Sequence, residues 1–257
     1  MQQNSKSNIE DIYELAPLQQ GILFHTLYTE GSDAYIDQFC YDLTGNLKEE
    51  TLKQAWVEAI KRHGVFRTSF QWKGISKPVQ IVNKEAELTW NSLDFSSYSE
   101  TEKNSEFKNF LNKDRTNIFS MEKAPLMRCT LIKLTENDYK FVWTFHHIIM
   151  DGWSYPIIQK EVFDIYELLL KSEEIKLPKP IPYKHFIVWL NRQDKAAAEE
   201  FWKKELKGLD SPTIISSNYP VQSENIGKAE EVDLRFSKEQ SSEVQAFEKK
   251  KQLTVNT

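Results

Sequence analysis

The chain has 257 residues, 40% of them hydrophobic, which is enough apolar material for one or two packed domains and excludes wholesale disorder. Its 33 basic and 38 acidic residues give a formal net charge of −5, which argues against a dedicated nucleic-acid binder. The two cysteines are too few for a disulfide scaffold, and no apolar run approaches the roughly 20 residues that span a bilayer.

The first residues of the chain, MQQNS, carry no recognisable targeting signal. They lack the basic and apolar regions of a secretory signal peptide. We therefore expect a soluble, cytoplasmic protein that contacts neither membrane nor nucleic acid.

Helical and strand-like patterns alternate along the first 170 residues. Apolar residues at helical spacing predict helices after Pro17, over residues 52–63, around residues 107–111 and over residues 156–170. Apolar or alternating segments predict strands at residues 65–70, 77–82, 127–134 and 139–147. This alternation indicates an α/β (two-layer α+β) architecture.

The composition changes at residues 171–182, which are charged and contain three prolines, as in an extended linker. The following residues predict helices around 186–190 and 201–206, a polar loop over 208–228, a strand over 231–236 and a helix over 238–250. This remainder is too short and too polar to close a second core. We expect a complete lobe over residues 1–175, and a linker with the start of a truncated second lobe over residues 176–257.

The segment FHHIIMDGWS at residues 145–154 lies where an aromatic strand ends and an amphipathic helix begins. Strand geometry would place His146 and His147 on opposite faces, so one imidazole can be structural while the other reaches a cleft. Imidazole suits proton transfer near neutral pH because its pKa needs little tuning. Asp151 precedes a glycine, at a turn where a carboxylate can bond backbone N–H groups or a buried cation.

Other interpretations of this segment have less support. A histidine at a strand end is often a hydrogen-bonded structural residue. A metal site at His147 and Asp151 lacks a third ligand at ligand spacing, so we expect no metal. The chain has no Gly-x-Ser-x-Gly elbow, and its 8 glycines include no phosphate-binding loop.

Residues 146–152 (HHIIMDG) resemble the His-His-x-x-x-Asp-Gly signature of nonribosomal peptide synthetase condensation domains, which belong to the chloramphenicol-acetyltransferase-like superfamily. Three further segments resemble motifs of that family and occur in its order: LAPLQQGILFH at 15–25, RHGVFRTSF at 62–70 and YKHFIVW at 183–189. Gly64, Phe66 and His185 depart from the usual Glu, Leu and Asp. The resemblance spans nearly the whole chain and implies a lobe with a mixed β-sheet flanked by helices.

The resemblance also implies roles for the residues of the signature. His147 and His146 would be catalytic residues, and His147 would face the reaction centre in a tunnel between two lobes. Asp151 would be buried and structural, and would pair with Arg62 or Arg67. The resemblance further assigns Gly152 to a tight turn whose N–H polarises a thioester carbonyl. Trp153 and Trp202 are expected to give structural support.

The implied reaction is peptide-bond formation in the synthesis of an antibiotic or other secondary metabolite. A donor carrier domain would present an acyl or peptidyl thioester on its phosphopantetheine arm, and the amine of an acceptor carrier's aminoacyl thioester would attack it. An adenylation domain is the expected neighbour, and the lobe itself binds no cofactor. The opening-motif variant implies coupling of an L-configured donor to an L-configured acceptor. Because the family's later motifs are absent, we expect this fragment to be inactive alone.

Three other functions are compatible with parts of the sequence. A free-standing acyltransferase using coenzyme A shares the His-x-x-x-Asp-Gly chemistry, and an epimerisation domain shares the double histidine. A non-catalytic module that docks carrier domains is the alternative outside catalysis. Such modules tend to have a damaged signature, so the intact His146, His147, Asp151 and Gly152 favour an enzyme.

Overall fold

The computed structural model describes residues 8–29, 31–211 and 234–254, in two units, Met1–Lys203 and Lys204–Thr257. The strands of the first unit are β1 (Ile9–Glu14), β2 (Ile36–Thr44), β3 (Thr68–Gln71), β4 (Val79–Asn83), β5 (Thr89–Asp94), β6 (Met127–Lys133) and β7 (Asp138–His146). Its helices are α1 (Pro17–Tyr28), α2 (Glu49–Arg62), α3 (Glu100–Arg115), α4 (Tyr155–Leu170) and α5 (Tyr183–Asn191), and α6 (Lys195–Glu205) runs past its boundary. The second unit contains α7 (Lys238–Lys251).

The strands form two separate sheets. The smaller sheet is antiparallel, in the order β1-β4-β3. The larger sheet has the order β2-β7-β6-β5 and is mixed, because β5 runs parallel to β6 while the other pairs are antiparallel. A mixed sheet with helices packed on it confirms the α/β prediction.

Strand β7 lies at the centre of the core and is buried on both faces from Phe141 to its end. On one face, Trp143 packs against Trp56 of α2, with ring centroids 4.6 Å apart, and against the ring of Phe145. Helix α4 covers the same core through Val162 and Ile165. Each fully buried apolar side chain contributes about 1.5–3 kcal/mol, so this face stabilises the lobe and fixes the end of β7.

The opposite face of the larger sheet holds a buried polar cluster centred on Asp114 of α3. Arg128 Nε donates to Asp114 Oδ1 at 2.6 Å, while Thr144 Oγ1 and Gln38 Nε2 donate to Asp114 Oδ2 at 2.6 and 2.8 Å. The side chains of Asp114 and Arg128 are only 7% and 6% exposed. This cluster ties α3 to three neighbouring strands, which explains why polar Thr144 can lie in a fully buried strand.

The predicted helices are confirmed, and so are the strands predicted at residues 77–82, 127–134 and 139–147. The other strand predictions need correction. Residues 65–70 are not one strand, because Gly64–Arg67 forms a 3₁₀ turn in which Phe66 is buried, and the chain extends only from Thr68. Strands β1, β2 and β5 were not predicted, because their residues mix polar and apolar types without clear alternation. The predicted strand over 231–236 and loop over 208–228 lie largely outside the described residues, and residues 234–236 have no regular structure.

The linker predicted at residues 171–182 contains no helix or strand. Arg62 Nη2 donates to the carbonyl of Pro178 at 2.6 Å, and Lys184 of α5 pairs with Asp11 of β1 at 2.8 Å. These contacts hold the linker and α5 against the rest of the first unit. The lobe boundary at residue 175 stays a prediction.

Helix α7 of the second unit begins with a reciprocal capping box. Gln240 N donates to Ser237 Oγ at 3.2 Å, and Ser237 N donates to Gln240 Oε1 at 2.9 Å. None of its residues is buried. Among the described helices of both units, none is long and apolar enough to cross a membrane.

Candidate active site

The two adjacent histidines at the end of β7 have different environments. His147 N donates to the carbonyl of Tyr35 at 2.8 Å, so the pairing of β7 with the chain of β2 continues one step beyond the strand. His146 is 1% exposed, whereas the side chain of His147 is 37% exposed. The predicted placement of the two rings on opposite faces is therefore confirmed.

His147 is held by a carboxylate on the neighbouring strand. Asp37 of β2 pairs with Phe145 in the sheet, which places it diagonally across from His147, and Asp37 Oδ2 lies 2.6 Å from His147 Nδ1. A carboxylate only accepts hydrogen bonds, so Nδ1 carries the hydrogen and a neutral ring has its free lone pair on Nε2. Within the described part of the chain, Nε2 has no hydrogen-bond partner.

His146 is a structural residue, and the expectation that it shares in catalysis needs correction. Its Nδ1 accepts a hydrogen bond from Ile148 N at 3.1 Å, and its Nε2 lies 3.3 Å from Thr26 Oγ1. The Thr26 hydroxyl donates to the carbonyl of Ile22 at 2.8 Å, so it accepts from Nε2–H. Burial, and secondarily the charge of His147, lowers the pKa of His146 to about 4. Both nitrogens are engaged, so this ring has no free site for a proton from substrate.

Asp151 is exposed and closes the turn that precedes α4, whereas the sequence predicted a buried carboxylate paired with an arginine. Its Oδ1 accepts hydrogen bonds from Ser154 N at 2.9 Å and Ser154 Oγ at 2.7 Å. The Ser154 hydroxyl is the main cause that lowers the pKa of Asp151. The predicted ion pair with Arg62 or Arg67 is wrong, because each guanidinium is engaged elsewhere.

Arg62 and Arg67 bind other acceptors within the lobe. Arg62 Nε donates to Glu161 Oε1 on α4 at 2.6 Å, and Arg67 Nη1 donates to Glu10 Oε2 on β1 at 2.5 Å. Arg67 is 6% exposed and also donates to the carbonyls of Ile60 and Asn83. Their structural role is supported, with different partners from those predicted.

His147 and Asp151 lie on a cleft of about 740 Å³ in the first unit. Its most buried polar side chains are Thr68, Gln80 and Gln19, and most of its other walls are apolar. Helix α5 contributes Tyr183, whose pKa is raised by burial and, to a smaller extent, by the negative charge of Asp151. The cleft is thus a partly closed, mainly apolar space with one open imidazole nitrogen among its described polar groups.

The condensation-domain family model matches residues 9–257. The chain belongs to the condensation-domain family. A linear gramicidin synthase protein of Brevibacillus parabrevis is 37% identical over 251 residues, which are 97% of this chain and 3% of that protein. Bacitracin synthase 1 of Bacillus licheniformis is 33% identical over 254 residues, 98% of this chain and 5% of that protein.

Solved structures show the same fold. The starter condensation domain of rhizomide synthetase RzmA superposes with a TM-score of 0.70 at 16% identity, over 79% of this chain and 50% of that one. The SgcC5 protein of Streptomyces globisporus gives 0.65 at 24% identity, over 76% and 46%. These matches confirm the chloramphenicol-acetyltransferase-like fold. The chain spans about half the length of these structures.

Two expectations carried over from the condensation-domain motif are not met. Gly152 does not have a positive φ, and a Cβ built there meets no atom within 4 Å among the described residues, so the turn does not require glycine. Trp153 and Trp202 are 87% and 58% exposed, so neither buries enough apolar surface to give the expected structural support.

No pattern in the sequence pointed to Asp37, whose role depends on strand pairing between residues far apart in the chain. Glu161 accepts from Arg62 and lies 3.0 Å from His63 Nε2; it falls within the helix predicted over residues 156–170, but no motif pointed to these contacts. Within the described ranges, no group of three or more His, Cys, Asp and Glu side chains could hold a metal ion.

Proposed function

We propose that this chain is the histidine-bearing part of a condensation domain that forms peptide bonds in nonribosomal peptide synthesis. The observation that carries the proposal is His147, whose Nδ1 is held by Asp37 while its Nε2 remains open at the cleft. Support also comes from the family match and from relatives that are synthases of linear gramicidin and bacitracin. The product would be a peptide secondary metabolite made in the cytoplasm.

The substrates would be two thioesters on the phosphopantetheine arms of separate carrier domains. The amine nitrogen of the acceptor attacks the carbonyl carbon of the donor, the C–N bond forms and the C–S bond breaks. His147 Nε2 takes the proton that the amine loses, and the departing thiolate receives a proton as the ring returns to neutral. The growing chain is then on the acceptor carrier, and an adenylation domain of the same synthetase loads that carrier.

Asp37 would serve this reaction by fixing the tautomer and orientation of His147, and by stabilising the imidazolium that forms. The N–H of Gly152, next to Asp151 at the rim of the cleft, would polarise the thioester carbonyl. Positioning is the competing source of rate acceleration, because holding two tethered reactants together can supply about 7–11 kcal/mol. The opening motif favours an L-configured donor and an L-configured acceptor.

The test is an amide-forming assay with the complete gene product and separately loaded donor and acceptor carriers. We expect a dipeptidyl thioester on the acceptor carrier, detected by mass, and none when the acceptor amine is acetylated. Carrier binding without product, in the presence of both thioesters, would contradict the proposal and favour a docking module. Transfer from free acyl coenzyme A in the same assay would instead favour the coenzyme A-dependent acyltransferase.

The His147→Ala variant separates the base role from the positioning role. A general base contributes about 10²–10⁴-fold to the rate, so we expect a single-turnover loss in that range. A loss below about tenfold would contradict the general-base role. The isolated 257-residue chain is expected to give no product, and appreciable turnover would overturn that expectation.

A further inference from the structure

The floor of the cleft contains two buried glutamines that are hydrogen-bonded to each other. Gln80 is 1% exposed, and its Nε2 donates to the carbonyl of Glu14 and to Gln19 Oε1, both at 3.0 Å. Gln19 is 7% exposed; its Oε1 also accepts from Ala16 N, and its Nε2 donates to the carbonyl of Ile148 at 3.0 Å. This pair joins α1 and the smaller sheet to the segment directly after His147.

The pattern of these bonds fixes the orientation of the Gln80 amide. Two acceptors surround its nitrogen, so its Oε1 points away from them. Oε1 accepts no hydrogen bond from the described residues, and it is not among their completely enclosed unpartnered atoms. Because it is not completely enclosed and has no described donor, Oε1 is open to an N–H or O–H of a ligand.

The walls around the floor are mainly apolar, and the hydroxyl of the buried Thr68 donates to the carbonyl of Gly64 at 2.8 Å. Buried members include Ile22, Phe70, Ile148 and Ile158. No lysine or arginine side chain lines the cleft among the described residues. A charged ligand side chain on the floor would lose its hydration with no opposite charge to replace it.

The four ionisable side chains that line the cleft do not alter this conclusion. They are His63, His147, Asp151 and Tyr183. His63 is bonded to Glu161, Asp151 lies exposed at the rim, and His147 is bonded to Asp37. None therefore offers a free full charge to a ligand side chain on the floor.

We infer that the cleft is a specificity pocket for the side chain of an aminoacyl thioester, and that it takes uncharged, mainly apolar side chains. Gln80 Oε1 is the hydrogen-bond acceptor for an N–H or O–H of the same ligand. The volume of about 740 Å³ falls within the range of roughly 300–1,000 Å³ usual for ligand sites, which leaves room for part of the pantetheine arm. The inference rests on the proposed function and names its substrate class.

The probes are pantetheine amides, in which N–H replaces the thioester sulfur so that no transfer occurs. Binding of leucyl, glutamyl and lysyl probes to the 257-residue chain is measured by calorimetry, with pantetheine alone as reference. Burial of a leucine side chain contributes about 1.5–3 kcal/mol, so we expect the leucyl probe to bind about 10- to 100-fold more tightly than the charged probes. An N-acetyl-leucyl probe lacks the amine, so its affinity relative to leucyl shows whether the pocket serves the donor or the acceptor.

Two variants test whether the probes bind in this cleft. Ile157 lies at the rim of the cleft and is 65% exposed, so Ile157→Trp should fold and obstruct the entrance, and we expect it to abolish the preference for leucine. Val65→Trp, which fills the cleft from another side, should have the same effect. Leu170→Trp is the matched control, because Leu170 lies on the same helix, is 48% exposed and does not line the cleft. We expect it to bind like the wild type.

Equal affinity for all three aminoacyl probes, or for leucyl pantetheine amide and pantetheine alone, would overturn the inference. An unchanged preference in Ile157→Trp would do the same. These outcomes are independent of catalysis. A leucine preference in a protein that forms no amide bond would leave the pocket standing while the proposed function failed.

Discussion

Two aspartates that contact the larger sheet, Asp114 of α3 and Asp37 of β2, show how similar groups come to serve different purposes. Asp114 is 7% exposed, and its carboxylate accepts from Arg128, Gln38 and Thr144. Asp37 is 36% exposed and binds His147. Gln38 and Asp37 are successive residues of β2 whose side chains point to opposite faces of the sheet, so Gln38 joins the Asp114 cluster while Asp37 binds His147.

The difference lies in what each cluster leaves unsatisfied. The Asp114 cluster has its charges paired and its hydrogen bonds made, so it fixes the register of strands and has no free group for a substrate. The Asp37–His147 pair leaves one imidazole nitrogen open on a cleft. A side chain that takes part in a reaction has to remain accessible to the substrate. The buried Asp114 cluster, in contrast, fixes the strands that carry such a side chain.

The comparison is tested most severely by Asp114→Ala. Removal of one partner leaves the Arg128 guanidinium buried without its counter-charge, so the free energy of unfolding should fall by about 3–5 kcal/mol. Urea denaturation of the chain measures this loss. Asp37→Ala is the control, and because its pair is about one-third exposed we expect it to cost less than about 1 kcal/mol. Equal losses in the two variants would contradict the division of roles.

His146 extends the comparison to a buried imidazole. Its pKa is about 4 in the folded chain, against an ordinary value of 6.5, so the unfolded chain binds its proton first as the pH falls. The free energy of unfolding should therefore decrease between pH 6.5 and pH 4, by about 3 kcal/mol from this residue. The measurement is urea denaturation across this range for wild type and His146→Asn. The same pH slope in both proteins would show that His146 is not the responsible group.

The Asp37→Asn variant tests whether Asp37 contributes to the reaction. An amide can donate to Nδ1 and favour the wrong tautomer of His147, so the single-turnover rate should fall by about 10- to 100-fold with little loss of stability. Asp42→Asn is the control, since Asp42 also lies on β2 but pairs with Lys140 away from the cleft. An unchanged single-turnover rate in Asp37→Asn would show that Asp37 has no role in the reaction.

Gly152→Ala should have the smallest effect on stability. The backbone at Gly152 suits any residue, and a Cβ there meets no described atom within 4 Å. The expected change in the free energy of unfolding is within about 0.5 kcal/mol, measured by urea denaturation. A decrease in the free energy of unfolding of more than about 1 kcal/mol would show that this turn does require glycine.

The candidate catalytic segment could be predicted from the sequence, but the groups that support it could not. The histidine pair, the adjacent helix and the apolar core of β7 follow from local periodicity and from motif resemblance. Asp37 could not be found this way, because it reaches His147 only through the pairing of β2 with β7, strands about 100 residues apart. The predicted Asp151–arginine pair was wrong because Glu161 and Glu10 lie nearer to the two guanidinium groups.

The most direct test of the site is a ¹⁵N NMR spectrum of the 257-residue chain, recorded at a pH at which the His147 ring is neutral. The Asp37 carboxylate can only accept, so the predicted tautomer has its hydrogen on Nδ1 and a lone pair on Nε2. We expect His147 to show a protonated-type Nδ1 and an unprotonated-type Nε2, and Asp37→Ala to shift the balance toward the other tautomer. A hydrogen on Nε2 in the wild type would contradict the proposed role of His147 as the proton acceptor.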